Sequence, residues 1–258
     1  MTIDYRGARV LVTGASAGIG AEFARELARR GADLVLVARR AERLEALAAE
    51  LKGVEVTVLP CDLTQPDAVP ELAAGLRARG LTLTGLVNNA GFGTYGPFAQ
   101  EDVERLRTEI ALDVSAVVEL SRTFLGELVA SGRGVLVNVA SMAAYHPTPR
   151  MAVYGAAKAF VLSFTEALWQ EHRRSGLRVL ALSPGATETE FFAVAGEQAS
   201  GGARKVGPEL VVRTALRTLD RRNPPPSIAV GRANRVLVSL SRLVSRRQAV
   251  RAMAALSA

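Results

Sequence analysis

Tyr154 and Lys158 stand four residues apart in the run Tyr154-Gly155-Ala156-Ala157-Lys158, and Ser141 lies thirteen residues upstream, at the end of an apolar run. On a helix, positions i and i+4 share a face. The spacing sets a phenol beside an ammonium, with a hydroxyl arriving from a neighbouring strand. Such a set suits proton transfer to or from an alcohol or ketone oxygen. A free tyrosine ionises near pKa ~10 and is a poor base at neutral pH. An adjacent cation favours the phenolate and is expected to lower that pKa. Most Tyr-x-x-x-Lys pairs are ordinary surface pairs, so the meaning of this one depends on what else the chain carries.

At the other end of the chain is a glycine-rich turn, Thr13-Gly14-Ala15-Ser16-Ala17-Gly18-Ile19-Gly20. It follows the apolar run Val10-Leu11-Val12 and precedes a helical pattern through Ile19, Phe23, Leu27 and Ala28. Strand, glycine turn and helix form the context of a dinucleotide fingerprint. Gly14 permits the tight turn, and Gly18 and Gly20 allow close approach to a pyrophosphate. The amides of Gly14, Ser16, Ala17, Gly18, Ile19 and Gly20 are the candidate phosphate donors, since a helix N-terminus favours an anion. The second strand, Asp33–Ala38, ends without a carboxylate. An NAD site usually has an acid there for the ribose hydroxyls. Here Ala38 is followed by Arg39 and Arg40, and a guanidinium can grip a 2′-phosphate. NADP is therefore the expected cofactor. The competing reading makes both arginines solvated charges paired with Glu42 and Glu45.

With both ends in view, the chain resembles the short-chain dehydrogenase/reductase family, and within it a bacterial DltE-like subgroup. The resemblance covers about the first 190 residues and rests on motifs in order. They are Thr13-Gly14-x-x-x-Gly18-x-Gly20, Asp62-Leu63, Asn88-Asn89-Ala90-Gly91, then Ser141, Tyr154 and Lys158, then Pro184-Gly185 with Thr189. It implies that Asp62 and Leu63 contact the adenine end, and that Asn89, Ala90 and Gly91 line the cofactor cleft. Lys158 would hold the nicotinamide ribose while tuning Tyr154. Pro184, Gly185, Thr187 and Thr189 would cover the nicotinamide. The family usually has an Asn in the helix after the Asn-Asn-Ala-Gly strand, where it anchors a relay water. Asp113 occupies that place in Ala111-Leu112-Asp113-Val114. An ionised Asp cannot donate a hydrogen bond. Either Asp113 only ties helix to strand, or it joins the proton relay by holding the water or pairing with Lys158. Ser141, Tyr154, Lys158 and Asp113 are the candidate catalytic residues.

These residues require elements that hold them. The expected fold is α/β, a Rossmann-type doubly wound parallel sheet of about seven strands with helices on both faces, because strand-like and helical runs alternate. Strands are expected at Ala8–Val12, Asp33–Ala38, Glu55–Pro60, Gly85–Asn88, Gly134–Val139, Arg178–Ser183 and Ser227–Val230. Helices are expected at Ala41–Leu51, Pro66–Arg79, Glu101–Ser131 in one or two pieces, and Met151–Ser175. A chain of 258 residues, 49% hydrophobic, is long enough for one buried core, so residues 1–258 are read as a single domain. Residues 189–206 break the pattern and read as a loop acting as a substrate lid. Phe92, Tyr95, Phe98, Met142, Phe191 and Phe192 are expected to wall the pocket, which favours an apolar substrate; Phe92, Met142, Phe191 and Phe192 are the candidate substrate contacts.

The formal net charge of +7 is concentrated near the C-terminal end of the sequence. Arg232, Arg235, Arg242, Arg246, Arg247 and Arg251 occur there with no acid among them. Val236, Leu237, Leu240, Leu243 and Val244 share a helical face opposite arginines, and a bend is expected near Ser245–Arg246. Packing of this segment, residues 231–258, on the domain is the favoured expectation, with weak contact to an anionic membrane surface, or binding to a partner, as the alternative. Nucleic-acid binding is not expected, because no recognised module accompanies the charge. Cys61 is alone, which excludes an internal disulfide framework and fits a reducing, cytoplasmic setting. No metal site is expected from His146, His172 and one cysteine; His146 is read as a surface residue that could reach substrate. A homo-oligomer is expected. The function read from this set is an NADP(H)-dependent oxidoreductase interconverting a ketone or aldehyde and its alcohol. The alternative is a catalytically weak NADP-binding regulatory or membrane-surface protein.

Overall fold

A computed structural model describes residues 3–241 and 243–256. Seven strands form one parallel sheet: β1 (Arg9–Thr13), β2 (Asp33–Ala38), β3 (Val56–Pro60), β4 (Gly85–Asn88), β5 (Val135–Val139), β6 (Arg178–Ser183) and β7 (Ser227–Ala229). Their spatial order is β3-β2-β1-β4-β5-β6-β7. The order reverses between β1 and β4, and a crevice opens at such a switch point beyond the strand ends. Thr13 pairs with Val37 and Val12 with Val87, so β1 ends at the crevice and runs straight into the glycine turn.

Side-chain alternation builds a core on each side of the sheet. Val10, Val12, Leu34 and Leu36 pack with Phe23 and Leu27 of α1 (Gly18–Arg29), Leu44 of α2 (Ala41–Glu50), and a helix over Pro208–Leu219. Leu11, Val35 and Val37 face the opposite cluster. That cluster holds Leu72 and Leu76 of α3 (Ala68–Ala78), and Leu120 and Phe124 of a long helical run further on. The long run is α4 (Val103–Ile110), a π turn at Ala111–Ser115, and α5 (Ala116–Ala130). The π turn inserts a wider loop without ending the helix, and such turns often mark functional positions. Asp113 sits in it. α6 (Ala152–His172) follows β5 and carries Tyr154 and Lys158.

Residues 189–206 depart from the expected plain loop. Phe191–Ala195 forms the short helix α7, and Glu197–Ser200 a 3₁₀ turn. Phe192 and Ala195 bury an apolar side there. A parallel bridge between Thr187 and Val206 closes the base of the segment. The helix over Pro208–Leu219, α8, lies outside the expected set.

The C-terminal segment forms α9 (Arg232–Ser241) and α10 (Arg246–Leu256), with the chain turning between them where a bend was expected. Arg242 lies outside the described residues. The expected burial of the apolar face is overturned: Val236, Leu237, Leu240, Leu243 and Val244 are all exposed. α9 instead sets Asn234, Val238 and Ser241 in part-buried positions, with Asn234 Nδ2 donating to the Val230 carbonyl at 2.7 Å. Those residues lie on a different side of the helix from Val236 and Leu240, so the apolar face cannot pack at the same time.

Candidate active site

The glycine turn is tied to β4 by side-chain hydrogen bonds. Thr13 Oγ1 accepts from the Asn89 and Ala90 amides at 2.9 and 3.0 Å. Asn89 Nδ2 donates to the Thr13 carbonyl at 2.9 Å, so its amide is committed to locking the turn as well as lining the cleft. Gly14 has φ +65, and a Cβ there would lie 2.7 Å from Asn89 Nδ2. Gly20 does not line the cavity; a Cβ on it would meet the Gly14 carbonyl oxygen at 2.3 Å, so it allows the helix to approach the turn. Ala17 caps α1 with no side-chain hydrogen bond, and Gly14, Ser16, Ala17, Gly18 and Ile19 line a cavity of about 1060 Å³. A bare helix N-terminus opening on a cleft suits a pyrophosphate.

The same cavity reaches Ala38, Arg39, Arg40, Cys61, Asp62 and Leu63. Asp62 Oδ1 accepts from the Thr64 amide and hydroxyl at 3.1 and 2.8 Å, which fixes the bend after β3. Arg39 is exposed. Arg40 does not pair with Glu42 or Glu45: it donates to Ser16 Oγ at 3.0 Å and to Glu190 at 2.8 Å. Arg43 also pairs with Glu190, and the two guanidiniums hold the Glu190 carboxyl below its ordinary pKa. Sequence reading missed both Arg43 and Glu190. Glu190 directly follows Thr189 of the expected cofactor cover, which was the available signal.

Ser141, Tyr154 and Lys158 converge on the far half of the cavity. Ser141 ends the turn after β5 and caps the 3₁₀ turn Met142–Tyr145, its Oγ accepting from the Ala143 amide at 3.1 Å. Lys158 Nζ lies 5.7 Å from the Tyr154 ring centre. The ammonium is buried, donates to the Val139 carbonyl at 3.3 Å, and pairs with Asp113 at 2.9 Å. Asp113 is fully buried and does not line the cavity. Its Oδ1 accepts from the Phe92 amide at 3.1 Å, so it ties helix to strand and pairs with Lys158 together. It meets the site from behind, through the lysine and the Phe92 backbone. A Cβ on Gly91 would lie 2.8 Å from Asp113 Oδ1 and 3.1 Å from Lys158 Nζ, so only glycine leaves room for this pair.

Electrostatics corrects one expectation. Burial pushes the Tyr154 phenol above its ordinary pKa, while the Lys158 charge and a Ser141 hydrogen bond pull against it without prevailing. Burial opposes the charge on Lys158, but Asp113 and Tyr154 outweigh it, so the ammonium is held above its ordinary pKa. Burial raises the Asp113 carboxyl and Lys158 offsets part of that. Behind Asp113 lies Glu109, fully buried, accepting from Thr94 Oγ1 at 2.9 Å, with Oε1 unpartnered. Burial first, and the Asp113 charge after it, push Glu109 up to about 7. Glu109 stands one helical turn before Asp113 and was not singled out in the sequence.

Around the reacting end, Phe92, Met142, Phe191, Phe192 and Tyr95 all line the cavity. The Phe191 ring lies 5.2 Å from that of Tyr154. Phe98 does not line it and is largely exposed, contrary to expectation. His146, read as a surface residue, does line it, and burial lowers its pKa. Pro184, Gly185, Thr187 and Thr189 form one wall; the Pro184 carbonyl accepts from the Met142 amide at 2.8 Å. Leu237 of α9 and Met253 of α10 complete the lining near this wall.

A family profile described as short chain dehydrogenase matches residues 8–200. The chain belongs to this family. It is 39% identical over 199 residues to a sulfoacetaldehyde reductase of Chromohalobacter salexigens, covering 75% of this chain and 79% of that one. It is 33% identical over 221 residues to a very-long-chain 3-oxoacyl-CoA reductase of Anas platyrhynchos, covering 83% and 69%. Among solved structures, a short-chain dehydrogenase from Sphingobium yanoikuyae in complex with NADPH superposes with a TM-score of 0.80 at 36% identity, covering 92% and 94%. A 7beta-hydroxysteroid dehydrogenase gives a TM-score of 0.86 at 27% identity, covering 98% and 100%. The seven-stranded Rossmann-type fold is common to this family.

Proposed function

We propose that the protein is an NADP(H)-dependent reductase of an apolar ketone or aldehyde, with Tyr154 as proton donor. The observation that carries this reading is the meeting of Ser141, Tyr154 and Lys158 on one cavity that extends to the glycine turn. The uncapped N-terminus of α1, the turn at Gly14 and the cavity along Ala38 to Leu63 fit a dinucleotide; Ala90, Gly91 and Pro184 to Thr189 would flank its nicotinamide end. Bound there, nicotinamide supplies the hydride that the side chains cannot.

Ser141 donates a hydrogen bond to the carbonyl oxygen, orienting it against Tyr154. Tyr154 then gives its proton to that oxygen as negative charge develops. A phenol whose pKa is raised carries its proton at physiological pH, the form that a proton donor requires. The fixed charge of Lys158 stabilises the phenolate left behind. A donor aligned on the developing oxyanion, as Ser141 is here, typically lowers the barrier by about 3–4 kcal/mol. Asp113 keeps Lys158 charged and in place, and so acts as a positioning residue. Phe92, Met142, Phe191 and Leu237 give the pocket an apolar character that favours an apolar carbonyl substrate. The DltE-like placement rests on the order of motifs alone. An inactive binding protein is the weaker reading, since it gives no use to the phenol, hydroxyl and ammonium that share the cavity.

For the cofactor, Ala38 provides no acid and Arg39 and Arg40 both reach the cavity. Several solved relatives hold NADP(H), the Sphingobium yanoikuyae protein among them. Fluorescence titration is expected to show tighter binding of NADPH than of NADH. Arg39→Ala should lose at least part of that preference, because Arg39 has no carboxylate partner among the described residues to release first. An undiminished preference would move the role to Arg40.

A further inference from the structure

We propose that α9 and α10 form a docking element for an anionic phospholipid bilayer, which sets the active-site cavity beside the lipid surface. Leu243 is 82% exposed, and Val236, Leu237 and Leu240 are each more than half exposed. Ala233, Val236, Leu237 and Leu240 fall on one side of α9 at helical spacing, and Leu243 and Val244 continue the patch in the connection to α10. A contiguous apolar ridge of this kind on a folded domain marks a contact surface.

Charge selects the occupant. From residue 221 to the end the sequence contains eight arginines and no acid. Arg232 and Arg235 flank the ridge on α9, and Arg246, Arg247 and Arg251 follow on α10. None of these five is ion-paired among the described residues. A second copy docking through the same ridge would oppose arginines to arginines, which the Coulomb cost disfavours. A bilayer bearing anionic headgroups satisfies both features, taking the apolar side chains into the acyl boundary and the guanidiniums at the phosphates. No described helix is long and apolar enough to cross a membrane, so the contact is peripheral. Leu237 and Met253 belong to the same segment and line the cavity. Docking therefore brings the cavity close to the source of an apolar substrate, a consequence that rests on the reductase reading above; the docking itself does not.

The test uses the full chain and vesicles of phosphatidylcholine, with and without phosphatidylserine, in co-sedimentation at low and high salt. Binding is expected only to the phosphatidylserine vesicles, and high salt should weaken it. The variant R235Q/R246Q/R247Q removes three charges outside the cavity and should lower partitioning by about a hundred-fold. V236D/L240D/L243D removes the apolar contact and should abolish stable binding. All six positions are exposed, and circular dichroism is the check that each variant is folded. No sedimentation with phosphatidylserine vesicles at low salt overturns the proposal. So does binding that survives V236D/L240D/L243D. A lipid-free drop in oligomer mass caused by V236D/L240D/L243D would instead assign the ridge to a second copy. These outcomes do not depend on turnover, so a failed carbonyl assay leaves them interpretable.

Discussion

Asp113 places a carboxylate at a fully buried position directly behind the cavity. Its partner, Lys158, is also buried, and the pair is closed at 2.9 Å. Losing one member of a buried pair typically destabilises by about 3–5 kcal/mol. Asp113→Asn keeps one oxygen where the carboxylate uses two, Oδ2 for the ammonium and Oδ1 for the Phe92 amide, so its NH2 must face one of these donors and the cost should fall within that range. The electrostatic effect is more telling. Asp113 raises the pKa of both Tyr154 and Lys158. Without that charge the phenol ionises at lower pH, and the alkaline limb of the reductive pH–rate profile should move down. An unmoved limb would mean that Asp113 does not act on the proton donor. Glu109 gives a second residue-scale expectation. Its folded pKa of about 7 exceeds the ordinary 4.5, so the protonated form is favoured by folding. The stability it contributes is complete below about 4.5 and is lost as pH rises through about 7. Melting temperatures across that window should therefore fall more steeply in the parent than in Glu109→Gln. Parallel curves would show that Glu109 does not titrate there.

At the scale of elements, the segment 189–206 and α2 are joined by one acid. Glu190 precedes α7 and pairs with Arg40 and with Arg43 of α2. Of these two guanidiniums, Arg40 lines the cavity beside Arg39, where a 2′-phosphate would be expected. The carboxylate and the phosphate would compete for Arg40. Half-exposed ion pairs contribute about 0.2–1 kcal/mol, so Glu190→Ala should tighten NADPH binding by about two- to five-fold and leave NADH nearly unchanged. Equal gains for both cofactors would show that the acid only restrains the segment. The sequence displayed the strands well, because buried parallel strands such as Leu34–Val37 are continuous β-branched and leucine runs bounded by charge. The π turn was not legible, since 111–115 reads as ordinary helix and the extra residue in the turn is a tertiary adjustment that aims Asp113 at Lys158. α7 was missed because Phe191-Phe192 reads equally as a pocket wall; in the fold both line the cavity, and Phe192 is buried as well.

For the whole molecule, the candidate site draws on both halves of the sheet, and nearly all of it was visible in the sequence as motif order. Gly14, Asp62, Ala90, Ser141 and Thr189 reach one cavity from the turns after separate strands, and Tyr154 and Lys158 reach it from α6. Long-range contacts were not visible: Glu190 with Arg43, or Leu237 and Met253 lining a cleft begun more than two hundred residues earlier. Nor was the exposed ridge of α9, because an amphipathic pattern states that a face is apolar without stating what covers it. The central claim is that this assembly reduces a carbonyl with Tyr154 as acid. NADPH oxidation should be followed with a panel of apolar ketones and aldehydes, for the parent protein and for Tyr154→Phe. The account predicts turnover by the parent with at least one member. It also predicts loss of about 10²-fold or more in the variant, with NADPH binding retained in a parallel titration. Tyr154→Phe turning over the same substrate at near-parent rate would contradict it.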